Sequence, residues 1–220
     1  MSRLFLAGAC AVAASILAHA AFANDSSAEK AAGGLVLRQN RDIDMVSEDL
    51  FVSPAQVRVR YVFRNRAAQP QRITVAFPMP DRDLHVEHLY VPGVGGTAGV
   101  PLASQDFRAG ENGREYQREY CTDAAFLAAI DRLQQRAERT QANYPMERRL
   151  RYILRTGGNW RSPIGDFRMV VDKGSPNAIV SFCGESVRRI SPTQFEVRHR
   201  NWRPDRDLAV LIVTAEPMRE

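Results

Sequence analysis

Residues 57–65 constrain the fold more than any other segment, because apolar residues and arginines alternate along them. The two sets are Val57, Val59, Tyr61 and Phe63 against Arg58, Arg60 and Arg64. Successive side chains of a β-strand point to opposite faces, so this pattern predicts a strand with one buried face and one solvated face. Half-buried strands are typical of antiparallel sheets, whereas strands of parallel sheets are usually buried on both faces.

Turn signals recur along the rest of the chain at intervals typical of a β-sandwich. Pro78 and Pro80 end the strand that follows residues 57–65, and strand-like segments resume after residue 150. Spacings of about 8–12 residues between turns are typical of sandwiches. We therefore predict a mainly β fold with antiparallel, sandwich-like sheets. It comprises an N-terminal β-rich part at 24–84 and a C-terminal β-rich part at 85–220.

One segment has a helical period. Apolar residues recur at helical spacing after Thr122-Asp123, which suits an N-cap, and they are Phe126, Ile130, Leu133 and Ala137. This pattern predicts one amphipathic helix at about 122–142. Four segments are predicted to have no regular structure: the lead-in 24–33, a turn at 47–49, a glycine-rich loop at 92–99 and a polar surface excursion at 103–119.

The first 23 residues have the features of a secretory signal peptide. Arg3 supplies a positive charge, residues 4–17 are apolar, and Ala21-Phe22-Ala23 is a small-x-small cleavage site. An uncleaved anchor is one alternative, because 4–23 is about long enough to span a bilayer. A lipoprotein attached through Cys10 is another, disfavoured because no full apolar region precedes that cysteine. We predict cleavage near Ala23, a periplasmic or secreted protein, and no membrane span in the mature chain.

Two cysteines follow this leader, Cys121 and Cys183. In an oxidising compartment two cysteines are more often bridged than free. A bond between them closes a loop of about 62 residues, to which the chain-entropy model assigns roughly 4 kcal/mol. A pair of buried free thiols is the alternative. We predict the bridge.

The charge distribution argues against nucleic acid as a partner. The formal net charge is +5, and removing Arg3 with the leader leaves 5 − 1 = +4. The arginines are scattered among acids, without the basic stripe and interleaved aromatic residues of a nucleic-acid groove. Residues 92–99 are rich in glycine but lack the Lys-Ser/Thr of a phosphate-binding loop. We predict no cofactor and no nucleic-acid partner.

The tetrapeptide His85-Val86-Glu87-His88 comes nearest to a metal or general-base site. On a strand, His85 and Glu87 share one face while His88 points the other way, so the three cannot act as ligands together. A surface or hydrogen-bonded strand position is therefore the favoured interpretation. A metal-assisted enzyme using this cluster is the alternative function.

Other chemical groups give weaker signals. Cys183 and His199 could form a thiol–imidazole pair, but the predicted disulfide would consume the thiol. Two pairs of carboxylates lie beside arginines in turn-like segments and are interpreted as solvated charge, with weak calcium binding as the alternative: Asp81 with Asp83, and Asp205 with Asp207. Trp160 and Trp202 flank strand ends and are predicted to cover the core. We predict no catalytic, cofactor-binding or metal-binding residue.

Many short motifs of the chain resemble one family, and they cover nearly all of it after the leader. In the N-terminal part they are Asn24-Asp25-Ser26, Gly33-Gly34-Leu35, Asp44-Met45, Glu48-Asp49-Leu50, Val57-x-Val-x-Tyr61-x-Phe63-x-Asn65 and Val75-Ala-Phe-Pro-Met-Pro80. In the C-terminal part they include Val86-Glu-His88-x-Tyr90-x-Pro92, Tyr120-Cys121-x-Asp123, Tyr152-Ile-Leu-x-Thr-Gly157, Asn159-Trp160, Pro163-Ile-Gly-Asp-Phe167 and Asp172-Lys-Gly174. This combination resembles the DUF4424 family of exported bacterial proteins.

The resemblance implies export but no activity, since the family has no assigned function. It also implies a longer chain, with an extra segment between the Phe-Pro-Met-Pro motif and the His-x-Tyr-x-Pro motif. Here Pro80 runs almost directly into His88, so the chain resembles an internally shortened member with a join near residues 81–84. We expect a non-enzymatic periplasmic binding or structural module. Its partner is unknown, and envelope proteins are a candidate.

Overall fold

The computed structural model describes residues 26–31, 34–76, 95–101, 110–140 and 143–217. Its elements, in chain order, are β1 Ser26–Ala31, β2 Gly34–Arg38, β3 Ile43–Val52, β4 Val57–Asn65, β5 Thr74–Ala76, β6 Gly95–Pro101, α1 Gly110–Tyr120, α2 Ala124–Thr140, β7 Asn143–Tyr152, β8 Ile164–Asp172, β9 Ile179–Phe182, β10 Arg188–Arg189, β11 Gln194–Trp202 and β12 Leu208–Pro217. A 3-10 turn at Arg155–Asn159 connects β7 to β8. The predicted mainly β fold is confirmed.

The described strands form three sheets. A five-stranded sheet has the order β10-β11-β8-β3-β4, a four-stranded sheet the order β6-β7-β12-β9, and a three-stranded sheet the order β2-β1-β5. Neighbouring strands are antiparallel, except that β3 and β8 pair in parallel. That pair joins the predicted N-terminal and C-terminal parts within one sheet.

The core lies between the five-stranded and the four-stranded sheets. The five-stranded sheet contributes Leu50 of β3 and Met169 of β8, and the four-stranded sheet contributes Val210 and Ile212 of β12. The alternation predicted for 57–65 is confirmed. Its apolar residues are half-buried and face the core at Val57, Val59 and Tyr61, while the intervening arginines are exposed.

Two helices, rather than one, cover the outer face of the four-stranded sheet. The prediction of a single helix at about 122–142 is correct for α2, which starts where the Asp123 carboxylate accepts the backbone N–H of Phe126 at 2.7 Å. The prediction of an irregular segment at 103–119 is wrong from Gly110 onward, where α1 begins. Tyr116 of α1 and Ile130 of α2 pack on β12.

β12 is buried on both faces. Val210 and Ile212 point to the sandwich core, and Leu211 and Val213 point to the helices. Because alternate side chains of a strand lie on opposite faces, a strand between two layers needs a continuous apolar run. The run Ala209–Val213 meets that need.

Three other segments predicted to be irregular belong to strands. Residues 47–49 form part of β3, where a register shift between Met45 and Ser47 takes the place of the expected turn. β6 includes residues 95–99 of the predicted loop, and β1 includes most of the predicted lead-in 24–33. Turn-forming residue types thus lie within paired strands at all three places.

The predicted disulfide is present. Cys121 lies between α1 and α2, Cys183 follows β9, and the bond between their sulfur atoms ties the helical layer to an edge strand of the four-stranded sheet. Among the described residues, no helix combines the length and the apolar character that crossing a membrane would require.

Candidate functional site

A cleft of about 500 Å³ opens at one side of the sandwich, and we call it the ring cleft. Phe167, Met169 and Val197, from the inner face of the five-stranded sheet, form one wall. The cleft is also lined by Leu208, at the start of β12 in the four-stranded sheet, and by the Cys121–Cys183 bridge. Pockets that bind small molecules have volumes of about 300–1,000 Å³. The ring cleft is therefore large enough for a small ligand or a short segment of a polymer.

Three aromatic rings stack along one wall of this cleft. The ring centroids of Phe167 and Trp202 are 4.4 Å apart, and those of His199 and Trp202 are 4.8 Å apart with an interplanar angle of 20°. The Phe167 and His199 centroids are 6.2 Å apart, because these residues are direct partners in the β8–β11 register. Such a stack offers a rigid apolar surface to a flat group.

Trp202 joins the stack because the backbone turns at Asn201. In a regular strand, side chains alternate between the two faces, so residues three positions apart lie on opposite faces. Trp202 would then point away from the inner face that carries His199. Asn201 has a positive φ of 49°, a conformation that asparagine tolerates better than most residues. This turn brings the Trp202 ring to the inner face, where it packs against the core.

Two polar groups of the ring stack are available to a ligand. Within the described residues, neither the imidazole nitrogens of His199 nor the indole N–H of Trp202 has a hydrogen-bond partner, and both side chains are half-buried. The apolar wall can therefore hold a flat group while these nitrogens bind its polar edge.

Charged residues surround the mouth of the cleft. Arg203 donates to the carbonyl oxygen of Gly158 at 2.8 Å, which fixes its position at the rim. Asp207 accepts the backbone N–H groups of Leu154 and Arg155, both at 3.0 Å. Asp205 and Arg206 are exposed and lie 4.0 Å apart. The pair Asp205 and Asp207 thus consists of one solvated carboxylate and one that orders a loop.

A second charged surface lies on the outer face of the five-stranded sheet. Its arginines are Arg58, Arg60 and Arg64 of β4, Arg168 of β8, Arg188 of β10, and Arg198 and Arg200 of β11. We call this surface the arginine face. β4, β8 and β11 alternate between it and the core.

Glu196 is the buried acid of the arginine face. Its carboxylate binds Arg188 at 2.6 Å, Arg168 at 2.8 Å and Arg198 at 3.3 Å, and its side chain is 5% exposed. The hydrogen bond from Arg188 is the largest cause that lowers the pKa of Glu196 to about 2, from an ordinary 4.5, with further contributions from Arg198 and Arg168. Arg168 also binds Asp49 at 3.2 Å.

The predicted site residues fall into two groups. The first group lies outside the described residues and comprises His85, Glu87, His88, Asp81 and Asp83. The metal-assisted alternative therefore stays a prediction. Within the ranges that the structure describes, no three His, Cys, Asp or Glu residues cluster as a metal site would require.

Cys183 and His199 both line the ring cleft, but the thiol is used in the disulfide, as predicted. Trp160 is fully buried and Trp202 is partly buried against the core, which agrees with the predicted role of both in covering it. The prediction missed that Trp202 also forms a wall of a cleft. A signal for this was present in the sequence: Trp202 lies three residues after His199 and directly follows Asn201, a residue type that tolerates a turn of the backbone.

Comparison with models of known protein families relates the chain to a family. The family model described as a domain of unknown function (DUF4424) matches residues 23–85 and 81–211. The two matched segments meet at 81–85, where the sequence predicted a join. A search of curated proteins and a search of solved structures found no match. Because the matched segments cover most of the chain, the protein belongs to the DUF4424 family.

Proposed function

We propose that this protein is an exported bacterial binding module that holds a ligand in the ring cleft and does not convert it. The ring cleft carries the proposal, because it combines a rigid aromatic wall with the polar nitrogens of His199 and Trp202. The ligand expected from this chemistry has a flat apolar face and hydrogen-bonding groups at its edge. Sugars and aromatic compounds share those properties.

Export is supported by the leader and by the disulfide. Residues 1–23 have the charge, apolar core and cleavage site of a signal peptide. A bridge such as Cys121–Cys183 persists in an oxidising compartment and is rare in a reducing one. Periplasmic or secreted location, with cleavage near Ala23, is therefore part of the proposal. Mass spectrometry of the protein from its native host tests it: a mature chain that starts at Asn24 supports export, and an intact leader contradicts it.

Tryptophan fluorescence tests the binding. Of the two tryptophans, Trp202 lines the cleft and Trp160 is fully buried, so a ligand in the cleft should change the emission of Trp202. We would titrate the protein with a panel of soluble glycans and aromatic compounds. We expect one class to give a saturable change, and calorimetry of Trp202→Ala with that ligand to show at least about tenfold weaker binding.

The control variant is Val62→Ala, which removes an exposed apolar side chain far from the cleft. It should bind as the unaltered protein does. Equal affinity of Trp202→Ala and the unaltered protein would remove the ring cleft from the proposal. Chemical conversion of the bound compound by the protein would contradict the non-enzymatic part.

A further inference from the structure

We infer that the arginine face is a docking surface for an anionic lipid surface, and that Arg58, Arg60 and Arg64 make the main contact. We call these three residues the β4 arginine row. The inference concerns a different side of the molecule from the ring cleft and does not depend on it.

The first argument is the charge left over on this face. Glu196 is bound by Arg168, Arg188 and Arg198, and Asp49 is bound by Arg168. The remaining acids of the face lie on β8 and β3. On β8, Asp172 accepts hydrogen bonds from Gly174 and Gln194, and Asp166 is exposed. On β3, Asp44 is the direct partner of Arg64 in the strand register, but its carboxylate is bound by Arg66 at 2.6 Å and by Arg161 at 2.9 Å.

The β4 arginine row and Arg200 form no ion pair with any described residue, and all four are exposed. Exposed guanidinium groups without an acidic partner can bind phosphate oxygens through two parallel hydrogen bonds. The face therefore has positive charge available to an anion.

The second argument is the position of the row. β4 is an edge strand of the five-stranded sheet, so its outward side chains lie along a border of the molecule. Side chains two residues apart on one strand face are separated by about 6.6 Å, so the row spans roughly 20 Å. An array of this length on a sheet can contact several headgroups of a lipid surface at once.

The third argument is the apolar residue within the row. Val62 shares the outer face of β4 with Arg60 and Arg64 and is 49% exposed. Basic residues around an exposed apolar side chain suit a lipid interface, where the arginines bind headgroups and the apolar group enters the boundary region.

A polynucleotide suits this surface less well. Binding of single strands relies on aromatic rings on which the bases stack. Phe51 is the aromatic residue of this face on β3, and the guanidinium of Arg58 covers its ring at 5.0 Å.

Vesicle sedimentation tests the inference. The probes are vesicles of phosphatidylcholine, with and without phosphatidylglycerol, mixed with the purified protein in the form that the host cell yields. We expect binding to the anionic vesicles only, and weaker binding as salt is added. The variant Arg58→Gln/Arg60→Gln/Arg64→Gln should bind on the order of 100-fold more weakly, since three basic residues near an anionic surface are removed.

The matched control removes the same charge from the opposite side of the molecule. Arg132, Arg136 and Arg139 of α2 are exposed on the helical layer, which lies behind the four-stranded sheet. The variant Arg132→Gln/Arg136→Gln/Arg139→Gln should therefore bind anionic vesicles within about threefold of the unaltered protein, because charges farther away than about 8 Å are largely screened at physiological salt.

Several results would overturn the inference. They are an equal loss in both triple variants, full binding by the β4 variant, equal binding to both kinds of vesicle, or binding to duplex DNA without binding to vesicles. Attachment through the apolar leader would survive both salt and the β4 substitutions, so it would be recognised as a contradiction. If the β4 variant does not fold, as judged by circular dichroism, Arg60→Gln alone should weaken vesicle binding about fivefold.

Discussion

The buried carboxylate of Glu196 provides a quantitative test of the arginine face. In the folded protein three arginines lower the pKa of Glu196 to about 2, against an ordinary value of 4.5. A carboxyl group with a lowered folded-state pKa stabilises the fold at pH values above its unfolded pKa. That stabilisation is lost as the pH falls from about 4.5 towards 2.

The magnitude follows from the size of this shift. A change from 4.5 to about 2 corresponds to at most about 3.4 kcal/mol, at ~1.36 kcal/mol per pKa unit. The arginine partners are 33%, 71% and 54% exposed, so solvent and salt screen the attraction. We therefore expect Glu196→Gln to lower the free energy of unfolding by about 2 kcal/mol at neutral pH.

Urea denaturation at pH 7, 4.5, 3 and 2 measures this effect. The free energy difference between Glu196→Gln and the unaltered protein should be largest at pH 7 and should shrink below about 0.5 kcal/mol near pH 2. Asp205→Asn is the control, because Asp205 is 82% exposed and lies 4.0 Å from Arg206. It should change stability by less than about 0.5 kcal/mol throughout. A Glu196→Gln difference that stays constant from pH 7 to pH 2 would refute the electrostatic explanation.

Two further predictions concern the backbone and the disulfide. Gly165→Ala should lower the free energy of unfolding by about 1–3 kcal/mol, since the new Cβ would lie 2.6 Å from the Val46 carbonyl oxygen. Gly158→Ala, which meets no atom within 4 Å, should cost less than about 0.5 kcal/mol, and equal effects in urea denaturation would disprove the steric argument. Cys183→Ser should lower the free energy of unfolding by about 2–4 kcal/mol. Adding a reductant should lower the stability of the unaltered protein by the same amount and leave that of the variant unchanged.

Elements whose apolar residues recur at a regular spacing could be predicted from the sequence. The alternation at 57–65 gave β4, because a strand with one solvated face shows its period directly in the sequence. α1 was missed because its residues are mostly polar, with Tyr116 and Tyr120 as its buried contacts. Two aromatic residues four positions apart form a short helical stripe, which glycines at 110 and 113 obscured.

The ring cleft could not be predicted in the same way, because it depends on pairing between distant strands. Phe167 and His199 meet only when β8 and β11 align in one register, and the sequence does not give that register. Asn201 then reverses the alternation that would place Trp202 on the other face. The disulfide was easier to predict, since only two cysteines, Cys121 and Cys183, follow residue 23 and they have a single possible pairing.

The parallel pairing of β3 with β8 determines when this protein can fold. Asp49 and Arg168, which meet across that pair, are 119 residues apart in the chain. Contacts over such distances form slowly, because a long loop must close before they contribute to stability. The β3–β4 hairpin therefore emerges early with one apolar face and an open strand edge, which makes it prone to aggregate until β8 is available. During synthesis the open edge of β3 therefore stays unpaired until β8 has been made, and the central sheet completes only after most of the chain is available.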